Sequence, residues 1–162
     1  MLLITDNTEA TKIIGMKLAS AILKSEKRQK RALILKLEGD LGGGKTTFIQ
    51  GFAKGLGISQ SVLSPTFILM RHYNINHDRY HDFYHFDCYR LETEADRENL
   101  RELGFEKIIN SPDNIVAIEW SNKIDISSLP GLDIKFLFKG ENEREIMIEG
   151  SLSSGLNQFN NE

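Results

Sequence analysis

The segment Gly39 to Thr47, GDLGGGKTT, constrains this chain more than any other, because it satisfies the spacing G-x-x-x-x-G-K-[ST] of a phosphate-cradling P-loop. The chemistry needs that spacing. Glycines at Gly39, Gly42, Gly43 and Gly44 let successive backbone N–H groups curl around a phosphate at a helix N-terminus without Cβ clashes. Lys45 then neutralises β/γ-phosphate charge, Thr46 offers a hydroxyl to magnesium, and the spacing predicts a nucleoside triphosphate site.

The flanking sequence supplies the context such a loop requires. Ala32 to Leu37 is an apolar run of strand length, suited to a sheet buried on both faces. After the loop, Phe48, Ile49, Phe52, Ala53 and Leu56 recur at helical spacing until Gly57 supplies a stop. With 162 residues and 40% hydrophobic content, one core and one domain over residues 1–150 are expected, followed by a Ser/Asn-rich, flexible tail over 151–162.

The chain carries a formal charge of −3, so no global basic field holds it on nucleic acid, and any RNA role is expected to be indirect. The densest basic run, Lys24 to Arg31, reads as a solvated connection. No stretch approaches the roughly 20 apolar residues of a membrane span, and the N-terminus lacks a basic segment leading into an apolar one. A cytoplasmic protein is expected. The lone Cys88 has no partner for an internal disulfide, and nothing in its surroundings marks a nucleophile.

Periodicity predicts the remaining elements. Ala10, Ile13, Ile14, Leu18, Ala21 and Ile22 form the apolar stripe of a helix over 8–23, capped by Asp6 or Asn7. Strands are predicted over 66–73 and 80–89 with the turn 74–79 between them, then a helix over 93–103 stopped by Gly104, and a second core strand over 114–118. Leu132, Ile134, Phe136 and Phe138, with Ile146 and Ile148, alternate around the turn 140–143 and predict a closing hairpin. The expected fold is α/β of the P-loop NTPase type: a central, mostly parallel sheet with antiparallel hairpin additions, flanked by helices.

Hydrolysis or transfer also needs a carboxylate to position the metal and a group to orient the attacking oxygen. Asp87 and Glu119 qualify, since each ends a strand and would sit at the carboxyl edge where open α/β sheets bind ligands. Position alone leaves open which does which. Thr66, in Ser64-Pro65-Thr66, lies where several P-loop proteins place a γ-phosphate-sensing threonine. His72, His77, His81 and His85 lack a tight ligand spacing and fit a half-exposed strand better than a zinc site. Asn122-Lys123-Ile124-Asp125 spells the N-K-x-D of guanine readers, but Asp87-Cys88-Tyr89-Arg90 lacks the glycine of the matching switch.

Several blocks together resemble one family, the bacterial TsaE (formerly YjeE) ATPases, which support threonylcarbamoyladenosine modification of tRNA. GDLGGGKTTFIQGFAKGLG, SPTF, YHFDCYRLE and IEW occur in that order at compatible separations across most of the chain. The resemblance implies phosphate binding by Gly42, Gly43, Gly44, Lys45, Thr46 and Thr47, magnesium on Thr46 and Glu119, and Asp87 as the acid required for turnover. It implies Thr66 as a switch threonine, Trp120 as a neighbour of the nucleotide, and Thr11 and Arg144 toward the adenosine end. Gly43 stands where the family more often has alanine. The resemblance further implies ATP as substrate and two partners: TsaD, which transfers the threonylcarbamoyl group, and TsaB. No arginine can be assigned from sequence as a charge-stabilising finger near the phosphates, so slow intrinsic turnover, completed by a partner, is expected. A small GTPase, a small-molecule kinase and a catalytically silent nucleotide-binding adaptor are the competing readings.

Overall fold

The computed structural model describes residues 1–26, 29–140 and 143–150. The expected tail over 151–162, Lys27 and Arg28 of the basic run, and residues 141–142 of the closing turn lie outside the described residues. Seven strands form one mixed sheet in the order β1-β7-β6-β2-β5-β4-β3. Strands β2 (Leu33–Gly39), β4 (Asp82–Asp87), β5 (Asn114–Glu119) and β6 (Leu132–Phe138) run parallel at its centre. Strands β1 (Leu2–Thr5), β3 (Met70–Asn74) and β7 (Arg144–Gly150) add antiparallel to them or to one another.

Helices α1 (Thr8–Lys24) and α2 (Lys45–Gly55) cover one face, where Leu18, Phe48 and Phe52 pack on Leu35, Phe83, Ala117 and Ile134. Helices α3 (Glu94–Glu102) and α4 (Phe105–Asn110) cover the other face of β2, β5 and β4, burying Ile34, Phe86, Val116 and Ile118. Coverage on both sides explains why every residue of β5 is buried, the pattern its continuous apolar run predicts. Asn7, of the two predicted caps, accepts the Ala10 N–H at 2.8 Å and starts α1. At the other end, Arg79 reaches from the β3–β4 connection to donate to the Ile22 carbonyl at 3.0 Å and to the Ser25 carbonyl, satisfying groups a helix end leaves open. No helix among the described residues is long and apolar enough to cross a membrane.

Three differences from the sequence expectation matter. Residues 66–69 are a turn and bend, and β3 starts only at Met70. Pro65 closes that turn by accepting from Ile68 N–H at 2.9 Å, and Leu69 takes a left-handed φ of 63°, so the β-prone Thr-Phe-Ile-Leu stretch loses to a local bend. The segment between Gly104 and Ser111, for which periodicity predicted no element, is the helix α4. Strand β1, absent from the sequence reading, pairs Leu3 with Ile146 at the sheet edge.

Candidate nucleotide site

The site lies at the carboxyl ends of β2, β4 and β5, the edge where a parallel sheet hands its chain to loops and helices. β2 ends in the P-loop, and Gly39 is required there by packing: a Cβ would fall 2.4 Å from the Phe136 carbonyl oxygen. Gly44, at φ 99°, caps α2. The loop lines a cleft of about 270 Å³ with Leu41, Gly42, Gly43, Gly44, Lys45, Thr46 and Thr47 on one side. Ser64, Thr66, Asp87, Tyr89, Glu119 and Trp120 line the other. A larger groove of about 450 Å³ between α1 and α2 takes in none of the P-loop residues.

Lys45 is buried, and its ammonium donates to the Gly39 and Asp40 carbonyls at 2.7 and 2.8 Å. Its Nζ sits 4.0 Å from the centre of the Trp120 ring. Burial pulls its pKa below the ordinary lysine value, and Glu119, Asp87 and Asp40 only partly oppose that. A phosphate in the cleft would relieve this cost. Trp120 reaches the ammonium because its backbone is left-handed, φ 59°, which turns the chain at the end of β5 into a short 3-10 helix, Ser121–Lys123. Such a conformation costs a non-glycine residue about 1–3 kcal/mol and persists only where its surroundings hold it.

The two acids that sequence position left unranked occupy distinct settings on adjacent strands, with Asp87 in register with Glu119. Thr46 Oγ1 donates to the Glu119 carboxylate, 2.9 Å from one oxygen and 3.0 Å from the other. A hydroxyl and a carboxylate held together are hard oxygen donors, and they fit magnesium, which takes few protein ligands and keeps its waters. Asp87 instead accepts from Thr66 Oγ1 at 2.5 Å and Ser64 Oγ at 2.9 Å, while its other oxygen accepts from the Tyr89 N–H at 3.0 Å. The bend over 66–69, rather than a strand, brings Thr66 to Asp87.

Thr11 and Arg144 adjoin the opposite flank of the P-loop. Thr11 pairs with Thr5, Oγ1 to Oγ1 at 3.0 Å, and its methyl lies 3.7 Å from where a Gly44 Cβ would be. Arg144 stacks on Phe138 and donates to the Gly42 carbonyl at 3.4 Å. The four histidines are separately engaged: His72 with Asp82 at 2.6 Å, His77 accepting from Arg79 N–H, His81 exposed, and His85 against Glu119 at 2.8 Å. Asn122 and Asp125 line a different cleft with Lys36, Glu38 and Asp133, away from the P-loop. Ser64 and His85 line or adjoin the cleft, and sequence reasoning gave neither a role there. The alternation His85-Phe86-Asp87 already places His85 on the same strand face as Asp87, but its partner Glu119 is visible only once β4 and β5 pair.

Comparison with known proteins bears on the family and the overall fold. A solved structure, YdiB of Bacillus subtilis, superposes with a TM-score of 0.71 at 31% identity, covering 99% of this chain and 96% of that one. The tRNA threonylcarbamoyladenosine biosynthesis protein TsaE of Bacillus subtilis is 40% identical over 144 residues, 88% of this chain and 80% of that protein. The protein of the same name from Rickettsia felis is 34% identical over 161 residues, 98% and 85% of the two chains. The model of the threonylcarbamoyl adenosine biosynthesis protein TsaE matches residues 5–148, and the chain therefore belongs to the TsaE family.

Proposed function

We propose that this protein is a magnesium-dependent ATPase that serves threonylcarbamoyladenosine modification of tRNA as an accessory to TsaD and TsaB in the cytoplasm. The observation that carries the reading is the division of labour between the two buried acids: Glu119 tied to the P-loop threonine Thr46, and Asp87 tied to Ser64 and Thr66 across the cleft. Binding alone needs only the first pair. A catalytically silent adaptor has no use for the second.

In this reading the P-loop amides of residues 42–47 and Lys45 hold the β- and γ-phosphates, and Thr46 and Glu119 hold the magnesium. The metal, when bound, supplies positive charge against the oxygens of the phosphates. Thr66 faces the γ-phosphate, and Asp87, fixed by three hydrogen bonds, orients a water and takes its proton as that water attacks the phosphorus. The products are ADP and phosphate. Trp120 walls the cleft, while Thr11 and Arg144 on the other flank of the loop serve the adenosine end. ATP is favoured over GTP because Asn122 and Asp125 open onto a separate cleft. Residues 1–150 act as one domain in this reading, and tRNA is met only through the partners.

The test is phosphate release from ATP and from GTP by the purified chain, alone and with an added TsaD–TsaB pair. ATP turnover that is slow alone and strongly raised by the pair supports the reading. A preference for GTP, or indifference to the pair, contradicts it and favours a GTPase or a kinase.

A further inference from the structure

His85 is a buried polar side chain that the proposed chemistry leaves unused. It lies at the heart of β4 with 0% exposure, its Nε2 2.8 Å from Glu119 Oε1, and its Nδ1 has no hydrogen-bond partner among the described residues. An ionised carboxylate only accepts, so Nε2 carries the hydrogen and donates it. With no acceptor at Nδ1, the neutral tautomer protonated at Nε2 is the one that fits, since it leaves a lone pair rather than an N–H unsatisfied. As packing alone the arrangement is poor. A phenylalanine would fill comparable space without burying an unsatisfied nitrogen, as Phe83 and Phe86 on the same strand do.

What the imidazole gives in return is a fixed carboxylate. Among the described residues, Glu119 Oε1 accepts from His85 and from Thr46, whereas Oε2 accepts from Thr46. Two donors, one arriving from β4 and one from the start of α2, define both the position of the carboxylate and its rotation about the last side-chain bond. We propose that His85 is a positioning residue that sets the rotation of the Glu119 carboxylate, so that its remaining lone pairs face a divalent cation shared with Thr46. This rests on the magnesium–nucleotide reading above. Partners that orient metal-binding side chains typically account for about 10–100-fold in metal affinity.

The experiment titrates a fluorescent N-methylanthraniloyl-ATP into the wild-type chain, His85→Phe and His85→Gln, first in EDTA and then across a magnesium series. Thermal melting is recorded on each. Expected is a His85→Phe protein that holds the nucleotide in EDTA within about twofold of wild type but needs roughly 10–100-fold more magnesium for the same gain in affinity. His85→Gln, whose amide N–H can take the place of Nε2–H, is expected to recover most of that loss. A wild-type magnesium midpoint in His85→Phe, equal loss with and without magnesium, or a folded His85→Gln no better than His85→Phe overturns the role. If His85→Phe does not fold, nitrogen NMR of the wild-type histidines decides: protonation at Nε2 with a shift on adding magnesium and nucleotide is expected, and protonation at Nδ1 overturns it. A wild-type affinity indifferent to magnesium overturns the reading of the site together with the role of His85.

Discussion

The two halves of the sheet are made of similar strands but are covered differently. β2, β5 and β4 are roofed by α1 and α2 on one face and by α3 and α4 on the other. β6 and β7 turn Leu132, Ile134, Phe136, Ile146 and Ile148 toward α1 and α2, while Lys135 and Leu137 face outward and are exposed. Residues that end the doubly covered strands lose water from both sides: Asp87 and Glu119 keep 3% of their surface, and Lys45 beside them 4%. Charges taken out of water interact strongly with a ligand of opposite sign. The same alternation on the singly covered half produces only a solvated surface. The candidate site sits where coverage is double, and the other half supplies a wall for the P-loop through Phe136 and Arg144.

Stability should show the contrast most strongly. Phe86 is fully buried and meets Phe105 edge-on at 5.1 Å between ring centres, so Phe86→Ala is expected to cost about 3–5 kcal/mol in urea unfolding. Leu137→Ala, on the open face of β6, is expected to stay within about 0.5 kcal/mol. Comparable losses at both positions would erase the distinction. At the site itself, Lys45→Ala removes the cation whose burial Glu119, Asp87 and Asp40 offset only in part. A loss of about 2–3 kcal/mol in ATP affinity, roughly 30- to 150-fold by calorimetry, is expected.

A pH series sharpens the comparison further. Burial, with Asp87 nearby, pushes the Cys88 thiol up to about 12. The folded state therefore holds this proton more tightly than the unfolded chain does, so the thiol's contribution is intact below about pH 9 and is lost as pH rises toward 12. Stability should fall by up to about 1.4 kcal/mol per pH unit in that window from this group, and Cys88→Ala should flatten that part of the curve. An unchanged slope would show that the thiol is solvated. A modest effect is expected at the exposed start of α1, where Asn7→Ala should cost about 1 kcal/mol by removing the cap on Ala10 N–H.

What the sequence disclosed follows from the range of the forces involved. The β2–P-loop–α2 unit, the β5 run and the helix that follows Thr93 are local patterns, and each folds as its own residues predict. β1 was hidden because it is short, lies at an edge with Leu2 and Ile4 exposed, and owes its existence to a partner nearly the whole chain away. The 66–73 stretch misled because β propensity is weak beside a proline-closed turn. Within the site, Lys45 and Thr46 were legible from spacing alone. The resemblance implied Thr46 and Glu119 on one magnesium, but position alone left Glu119 and Asp87 unranked, and the contacts of Asp87 with Thr66 and of His85 with Glu119 emerge only when the strands pair.

The claim at the centre of this account is that Glu119 serves binding and Asp87 serves turnover. It is tested most directly by Asp87→Asn, with ATP affinity and phosphate release measured on the same preparation in magnesium. The account predicts an affinity within about threefold of wild type and turnover lower by at least about 100-fold, the scale of a lost proton acceptor. Turnover near the wild-type rate, or affinity that falls in step with turnover, would contradict it.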